Sequence, residues 1–290
     1  MSTKPGLKNL YDEPGPRGKA LNLIISAACL AGLAAGAAWV LSALAGKGQL
    51  APEKWAPFLT ADMWRTYLLP GITGTLQAAA LAVVLATALG ILLGVGRMAH
   101  TRWIRHTCTA IVEFFRAMPL LILMIFCFQV FANYSLFPST QLAMAAVVTG
   151  LTLCNGAVIA EIVRAGVHAL PKGQNEAAIA LGLGNGQTMR MILLPQAITA
   201  MLPPIVAQLV VALKDTALGY QITYVEAVRQ GIQAGSAYSN YIPALLVVAG
   251  VMITINFALS QFAITAENRL RKGRKTLVKA SEQQVAVPAL

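Results

Sequence analysis

The stretch EAAIALGLGNGQTMRMILLP, from Glu176 to Pro195, decides how the rest of the chain is organised. It lies between two apolar segments that are long enough to cross a membrane, yet glycines at 182, 184 and 186 interrupt it. Pro171 stands shortly before it and predicts the end of the preceding helix, because proline lacks a backbone donor and clashes with the previous turn. We therefore expect a short, folded segment between two spans.

The first half of this stretch has the composition of a small docking helix. Asn175 is expected to cap a new helix, with Glu176 favourably placed in its first turn. Ala177 and Ala178 leave a low surface on which another protein can approach the backbone closely. An ordinary loop rich in alanine and glycine is the alternative, but the register of the whole stretch argues against coincidence.

The second half predicts a reversal followed by a second short helix. Gly182, Gly184 and Gly186 allow the positive φ angles that a sharp turn requires. Beyond them the chain is expected to enter the membrane at Leu194 and Pro195.

The composition of the whole chain places it in lipid. Of its 290 residues, 57% are hydrophobic and 11% are charged, whereas soluble domains carry about 25% charged residues. The formal net charge of +11 comes from basic residues at the ends of apolar segments, which is typical of membrane topology and not of nucleic-acid binding. The four cysteines show no CxxC spacing, so neither a disulfide framework nor a metal site is predicted.

Six apolar segments are predicted to span the membrane, since roughly 20 helical residues cross a core of about 30 Å. They are 21–45, 68–96, 111–134, 142–170, 196–217 and 242–266. Pro119 is expected to kink the third of them. The Ala43-Leu44-Ala45 sequence also fits a signal-peptidase site, but its apolar run exceeds a signal's usual 7–15 residues and favours a retained helix.

The remaining segments complete a predicted organisation in five parts. These are a cytoplasmic tail at 1–20, an N-terminal transmembrane helix at 21–45, an extracytoplasmic segment at 46–66, a core at 67–270 with a cytoplasmic loop at 172–194, and a cytoplasmic tail at 271–290. Within the core, residues 220–236 space Ile222, Val225, Val228 and Ile232 as in a helix, which predicts a short helix along the outer face.

The positions of the basic residues set the predicted orientation. Fifteen fall on the side of the Glu176 loop and four on the other, at Lys47, Lys54, Arg65 and Arg229. This bias follows the positive-inside rule, so the loop and both termini are expected in the cytoplasm.

Charged and polar side chains within spans are candidates for function, because inserting a charge costs about 2.5–3.5 kcal/mol. Glu113, Arg116 and Arg164 are interpreted as structural ion-pair residues, with Arg164 three residues from Glu161. Either an ion pair or the substrate path accounts for Glu161, Lys214 and Asp215. Asn155 and Gln208, nearer the predicted membrane middle, are further candidates for the substrate path.

No GxxxxGK[ST] sequence occurs, so the chain lacks that means of binding ATP. The three histidines show no catalytic or metal-binding spacing, which leaves an intramembrane enzyme without support.

The pattern of the Glu176 stretch resembles the EAA loop of permease subunits in ATP-driven (ABC) importers. The matching positions are Glu176, Ala177, Ala178, Gly182, Ile192, Leu194 and Pro195. Further segments are similar to the polar amino-acid branch of these permeases, and most to glutamate-importer permeases. They are Thr75-Leu76-Gln77, Glu113-Phe114-Phe115-Arg116 with Pro119-Leu120, Gly156 to Gly166, and Leu213 to Leu218.

The resemblance implies an all-α integral membrane protein with the type I permease fold of ABC importers, built as a five-helix core plus one N-terminal helix. It implies a transport subunit in a bacterial-type plasma membrane that binds no cofactor itself. Two ATPase subunits would carry ATP-Mg, beside a second permease chain and an extracytoplasmic substrate-binding protein. The EAA loop would couple to the ATPases.

A zwitterionic substrate needs one cation and one anion along this path. Lys214 and Asp215 could supply both, with Glu161 as a further anion, but adjacent helical residues point about 100° apart, so the helix would have to loosen there. Lys214 attracting anionic substrates at the outer mouth is the alternative. An ion-coupled secondary amino-acid transporter remains the alternative for the chain as a whole.

Overall fold

The computed structural model describes residues 15–285, apart from the side chains of residues 199, 263 and 266–285. Within these residues all regular structure is helical. This confirms the predicted all-α fold class. The predicted tails at 1–20 and 271–290 lie partly outside the described residues, at 1–14 and 286–290.

Thirteen α-helices and several tighter or wider turns of helix make up the described part of the chain. The α-helices are α1 (Pro16–Gly46), α2 (Pro52–Trp55), α3 (Ala61–Met63), α4 (Leu69–Gly96), α5 (Arg102–Ala117), α6 (Leu120–Asn133), α7 (Ser139–His168), α8 (Lys172–Ala180), α9 (Asn185–Gln187), α10 (Leu194–Ala200), α11 (Leu202–Asp215), α12 (Ala227–Ala237) and α13 (Tyr241–Val285). Short 3₁₀ segments cover Ala56–Leu59 and Thr216–Ile222, and π-helical segments cover Trp64–Leu68 and Thr188–Leu193.

Five helical stretches among the described residues are long and apolar enough to cross a membrane. They are Pro16–Gly46, Ala61–Gly96, Ser139–His168, Leu202–Ile222 and Tyr241–Phe262. The number rises to six if α5 and α6 together form one broken span. The predicted number of six therefore stays a prediction, although five of the six predicted segments each coincide with one of these stretches.

The third predicted span, 111–134, is wrong as a single kinked helix. The chain breaks at Met118 and Pro119, and α5 and α6 are bent by 105°. Proline removes a helical hydrogen bond and restricts the residue before it to extended conformations, and Met118 has ψ of 129°. The apolar helix α6 that remains has 14 residues.

The chain divides into two compact units, residues 1–56 and 57–290. In the described part of the first, α1 is followed by a turn and by α2, and Trp55 Nε1 donates to the Gln49 carbonyl at 3.1 Å. The second unit contains the helices of the predicted core.

The second unit is built around the packing of α4 on α7. Small residues of α4 let the two backbones approach closely: a Cβ added at Gly90 would lie 2.6 Å from Ile159, and one at Gly94 would lie 2.9 Å from the Ala160 carbonyl. Close approach at glycine is the usual means of joining helices in lipid. Gly90 and Gly94 therefore mark a close contact between α4 and α7.

A short helix lies within the predicted range 220–236, but the predicted bounds are wrong. The chain forms a 3₁₀ turn to Ile222 and a left-handed residue at Thr223, so α12 begins only at Ala227. The buried residues of α12 are small or polar and recur at helical spacing; they are Ala227, Gln230, Gly231, Ala234 and Gly235. This face packs on α4 and α13.

Candidate functional site

A cleft of about 170 Å³ opens between α5, α6, α7 and α11. Four of its lining side chains are polar or charged: Arg116, Asn155, Gln208 and Asp215. The remaining lining residues are Phe115, Met118, Leu120, Cys154 and Val158. An apolar cavity with a few converging polar groups is the usual form of a small-molecule site, and this one is smaller than the ~300–1,000 Å³ typical of ligand pockets.

Two amide side chains join α7 to α11 at the cleft. Gln208 Nε2 donates to Asn155 Oδ1 at 2.5 Å, and Asn155 Nδ2 donates to the Leu151 carbonyl one turn back. Asn155 is buried, so these bonds fix its orientation. Sequence reasoning placed both residues near the middle of their spans, and the structure brings them together.

Asp215 and Lys214 separate at the end of α11. Asp215 lines the cleft, whereas Lys214 is exposed and is not among the lining residues. The α-helix ends at Asp215 and tightens into the 3₁₀ turn Thr216–Ile222. For Lys214 and Asp215 to face one ligand, the helix would have to loosen at this point, but it tightens, and only Asp215 lines this cleft.

Five charged side chains form one connected group at the ends of α4, α5 and α7, which we call the ion cluster. It consists of Arg97, Glu113, Arg116, Glu161 and Arg164. The shortest contact joins Arg164 Nη2 to Glu161 Oε1 at 2.5 Å. The predicted pairing of Glu113 with Arg116 is present at 3.6 Å, but it is one contact within a larger network.

Arg97 holds the ion cluster together. Its two terminal nitrogens contact Glu161 at 2.7 Å and Glu113 at 2.8 Å, and only 8% of its side chain is exposed. Arg97 is one of the fifteen basic residues that set the predicted orientation, and the sequence predicted no further role for it. No spacing signal could identify this role, because Glu161 lies 64 residues away in the sequence.

Glu161 lies in the ion cluster and is not among the residues that line the cleft. It contacts Arg97, Arg164 and, at 3.8 Å, Arg116. Of the alternatives open for Glu161, the ion pair is the one with contacts here. Across the part of the chain that is described, no three His, Cys, Asp or Glu side chains gather as metal ligands.

The predicted coupling loop, residues 172–194, folds into two short helical pieces around a glycine. Helix α8 ends in a turn where Gly182 has φ of +77° and Leu183 N donates to the Ala178 carbonyl at 3.1 Å. This positive φ confirms the prediction for Gly182, since glycine adopts it without steric cost. Gln196 of α10 donates to Gln174 of α8 at 2.9 Å and ties the two pieces together.

Other local predictions for the loop are wrong. Helix α8 starts at Lys172 with Pro171 before it, so Asn175 lies inside the helix and is not its cap. Gly184 has φ of −68°, and Gly186 is not among the glycines with positive φ. Gly184 N instead donates to the Gln187 side-chain oxygen at 3.0 Å, which caps the start of α9.

The loop presents apolar side chains outward. Ile179, Leu181 and Met191 are exposed, Leu181 by 81%, whereas Ala178 is buried, so its predicted place on an approachable surface is wrong. Glu176 and Ala177 are also exposed, and Ile192 and Leu194 are half-buried. Pro195 lies in the first turn of α10. A compact knob with apolar side chains on its surface is typical of a protein-binding element.

At the opposite end of α4, the segment between Thr223 and Ala227 crosses Gly74 and Thr75. Tyr224 Oη donates to the Gly74 carbonyl at 2.7 Å, and Ala227 N donates to Thr75 Oγ1 at 3.1 Å. A Cβ added at Gly74 would come within 2.0 Å of the Val225 carbonyl. The crossing therefore requires glycine at position 74.

Glu226 caps α12 beside this crossing. Its carboxylate accepts hydrogen bonds from Val228 N at 2.8 Å and from Arg229 N at 2.6 Å, and it is buried. Burial raises the pKa of Glu226 to about 7, although these two backbone bonds and the charge of Arg229 oppose the change.

This is a helical membrane chain with a cleft that holds polar side chains and with a coupling loop that turns at Gly182. These are features of a membrane transport subunit. Comparison with known families agrees: residues 86–272 match the binding-protein-dependent transport system inner membrane component, and the chain belongs to this family.

Two relatives and two solved structures illustrate the likeness. The chain is 56% identical to the glutamate transport system permease protein GluD of Corynebacterium glutamicum, over 80% of this chain and 85% of that protein. It is 28% identical to the glutamate/aspartate import permease protein GltK of Escherichia coli, over 67% and 89%. A crystal structure of an amino acid ABC transporter with histidines matches 69% of this chain and 92% of its own, with a TM-score of 0.63 and 28% identity. The methionine transporter MetNI in an inward-facing form shares the fold, with a TM-score of 0.59 and 23% identity. The match covers 74% of this chain and 99% of that one.

The family assignment confirms the predicted class. The chain is a multi-pass permease subunit of an ABC importer, and ATP hydrolysis belongs to its partner subunits. The family works with ATPase and substrate-binding partners, as its name indicates for the latter.

Proposed function

We propose that this chain forms the translocation path for a polar amino acid, glutamate, by alternating access. The observation that carries the proposal is the cleft between α5, α6, α7 and α11, in which Asp215 and two amides meet a basic side chain. An amino acid offers an ammonium and at least one carboxylate, so groups of both signs in one small cleft match its chemistry. The 56% identity to a glutamate transport permease supports the choice of glutamate.

In this proposal the coupling loop, residues 172–194, contacts the ATPase subunits and transmits their movement to the membrane helices. Glu176, Ala177, Ala178, Gly182, Ile192, Leu194 and Pro195 fill the EAA pattern. Exposed Ile179, Leu181 and Met191 supply apolar surface for a groove on an ATPase subunit. The hydrogen bond between Gln174 and Gln196 joins α8 to α10, which supports transmission of movement, because elements that are bonded to each other move together.

The assembly we propose has two ATPase subunits that bind ATP-Mg, a second permease chain and an extracytoplasmic substrate-binding protein. The coupling loop and both termini face the cytoplasm, as the distribution of basic residues indicates. Closure of the ATPases would rock the helices between inward-open and outward-open packings, a rigid-body change. To change the population ratio of the two packings from 1:99 to 99:1, the ATPases must favour one packing over the other by about 5.5 kcal/mol of binding free energy.

Uptake of radiolabelled glutamate by cells with and without this chain tests the proposal. We expect uptake to require the chain and to stop when ATP is depleted, while it persists when an ionophore collapses ion gradients. Uptake that survives ATP depletion but stops with the ionophore would instead establish an ion-coupled secondary transporter. Unchanged glutamate uptake after deletion would exclude glutamate as the substrate.

A further inference from the structure

The charges of the ion cluster do not balance. It contains three arginines, Arg97, Arg116 and Arg164, and two carboxylates, Glu113 and Glu161. One positive charge is therefore left over within the cluster. The side chain of Arg116 is 39% exposed, so an ion of opposite sign can reach it, although water screens part of its charge.

The surplus charge falls on Arg116. Arg97 contacts both carboxylates at 2.7 and 2.8 Å, and Arg164 contacts Glu161 at 2.5 and 3.2 Å. Arg116 is further from them, at 3.6 Å from Glu113 and 3.8 Å from Glu161, beyond hydrogen-bond distance. Both glutamates keep a close arginine without it, so Arg116 is the member of the cluster that can turn to another partner at least cost.

Arg116 is also the one member of the cluster among the residues lining the cleft. Asp215 lines the same cleft from α11, with Asn155 and Gln208 from α7 and α11. The cleft therefore offers a guanidinium on one element and a carboxylate on another. Guanidinium binds carboxylate with two parallel hydrogen bonds, which a lysine cannot reproduce.

We propose that Arg116 binds a carboxylate of the amino acid in the cleft, while Asp215 takes its ammonium. This inference rests on the proposed function. It assigns Arg116 as the cation that binds the substrate carboxylate, because Lys214 is exposed and does not line the cleft. A guanidinium that turns to the substrate gives up its long contacts to Glu113 and Glu161. Occupancy of the cleft thereby alters the junction of α4, α5 and α7.

The test compares Arg116→Gln and Arg116→Lys with Arg164→Gln, which removes a cluster arginine that does not line the cleft. The permease and its ATPase partners are purified together into lipid nanodiscs, and thermal stability is measured with increasing glutamate. Ligand that binds only the folded state raises Tm. We expect a glutamate-dependent rise in wild type and in Arg164→Gln, from a lower starting Tm in the latter. Arg116→Gln should lose it, and Arg116→Lys should keep part of it.

The same variants are compared in uptake by proteoliposomes that receive the substrate-binding protein. For Arg116→Gln we expect kcat/KM for glutamate to fall at least about tenfold, as loss of a charged hydrogen-bond partner predicts. Glutamine lacks the side-chain carboxylate and 4-aminobutanoate lacks the α-carboxylate. If Arg116 binds the side-chain carboxylate, the Tm shift with glutamine should be the same in Arg116→Gln as in wild type. If it binds the α-carboxylate, the Tm shift with 4-aminobutanoate should be the same in both.

A glutamate-dependent Tm rise in Arg116→Gln equal to that of wild type would overturn the inference. An equal loss of uptake in Arg116→Gln and Arg164→Gln, with the Tm rise intact in both, would assign Arg116 a structural role and also overturn it. Absence of ATP-dependent glutamate uptake in wild type would instead contradict the proposed function, and the two failures are thus distinguishable.

Discussion

At Gly182 a single residue decides the shape of the coupling loop. Its φ of +77° lies in the left-handed region, which costs other residues roughly 1–2 kcal/mol. Nothing lies within 4 Å of the position that a Cβ would occupy, so the constraint comes from the backbone and not from crowding.

Gly182→Ala should therefore lower glutamate uptake, since the strain favours loop conformations that do not match the ATPase groove. Gly186→Ala is the matched control, because Gly186 lies in the same loop, has open space around it and lacks a positive φ. Initial uptake rates, normalised to the amount of chain in the membrane, provide the measurement. Equal rates in the two variants would contradict the role given to Gly182.

Glu226 predicts a pH dependence of stability. Its pKa is raised from the ordinary value of 4.5 to about 7, so folding favours the protonated carboxyl. Its contribution is therefore complete below about pH 4.5 and is lost as pH rises through about 7. We expect Tm of the purified complex to fall between pH 5 and pH 8, and Glu226→Gln to reduce that fall. Glu53→Gln, at an exposed residue, serves as the control and should leave the fall unchanged.

Residue-level predictions from sequence succeed where the cause is local and fail where it is distant. The positive φ of Gly182 follows from a glycine that closes a short helix. Arg97 could not be assigned, because its partners Glu113 and Glu161 are close only after α4, α5 and α7 pack. For the same reason, sequence alone did not separate Asp215 in the cleft from its exposed neighbour Lys214.

Among the helices, the contact of α4 with α7 depends most on small residues. We expect Gly90→Ala to destabilise the folded chain by about 1–3 kcal/mol, since the added Cβ would lie 2.6 Å from Ile159 in a packed interface. Gly250→Ala provides a control within an apolar helix, because a Cβ there meets nothing within 4 Å. Thermal unfolding of the purified complex measures both. A Tm for Gly90→Ala equal to that of Gly250→Ala would show that the helices can separate at no cost.

The length of an apolar segment predicts the approximate bounds of a membrane-spanning helix. It does not predict where a helix breaks within such a segment. The first, second, fourth, fifth and sixth predicted spans each coincide with one long helical stretch. The third does not, because composition gives no measure of the 105° bend at Pro119. Likewise, the Ile and Val spacing over 220–236 predicted a short helix but not its start at Ala227, and the buried residues of α12 are mostly Ala and Gly.

For the whole molecule, orientation in the membrane is the proposal on which coupling depends. In a chain whose four cysteines are replaced by serine, Gln187→Cys should resist a membrane-impermeant thiol reagent in intact cells and react in inside-out vesicles. Ser236→Cys, on the exposed end of α12, should show the reverse pattern. Labelling of Gln187→Cys in intact cells would place the coupling loop outside and remove it from the ATPases.

The class of the whole molecule was accessible from sequence, because low charge, apolar length and the EAA spacing each depend on composition or local order. The cleft was not, since α5, α6, α7 and α11 each contribute only one to three of its residues. Its members could be listed as polar residues within spans, but their grouping required the fold.

Helix α6 is short for a span, since its 14 residues measure about 21 Å against a hydrocarbon layer of about 30 Å. Exposed Ile122, Ile125 and Phe126 show that part of its surface is apolar and uncovered by this chain. The bilayer beside α6 must thin, or a neighbouring protein must shield it. If the proposed translocation path follows the cleft, a solute beside α6 would cross about 21 Å of apolar surroundings instead of about 30 Å.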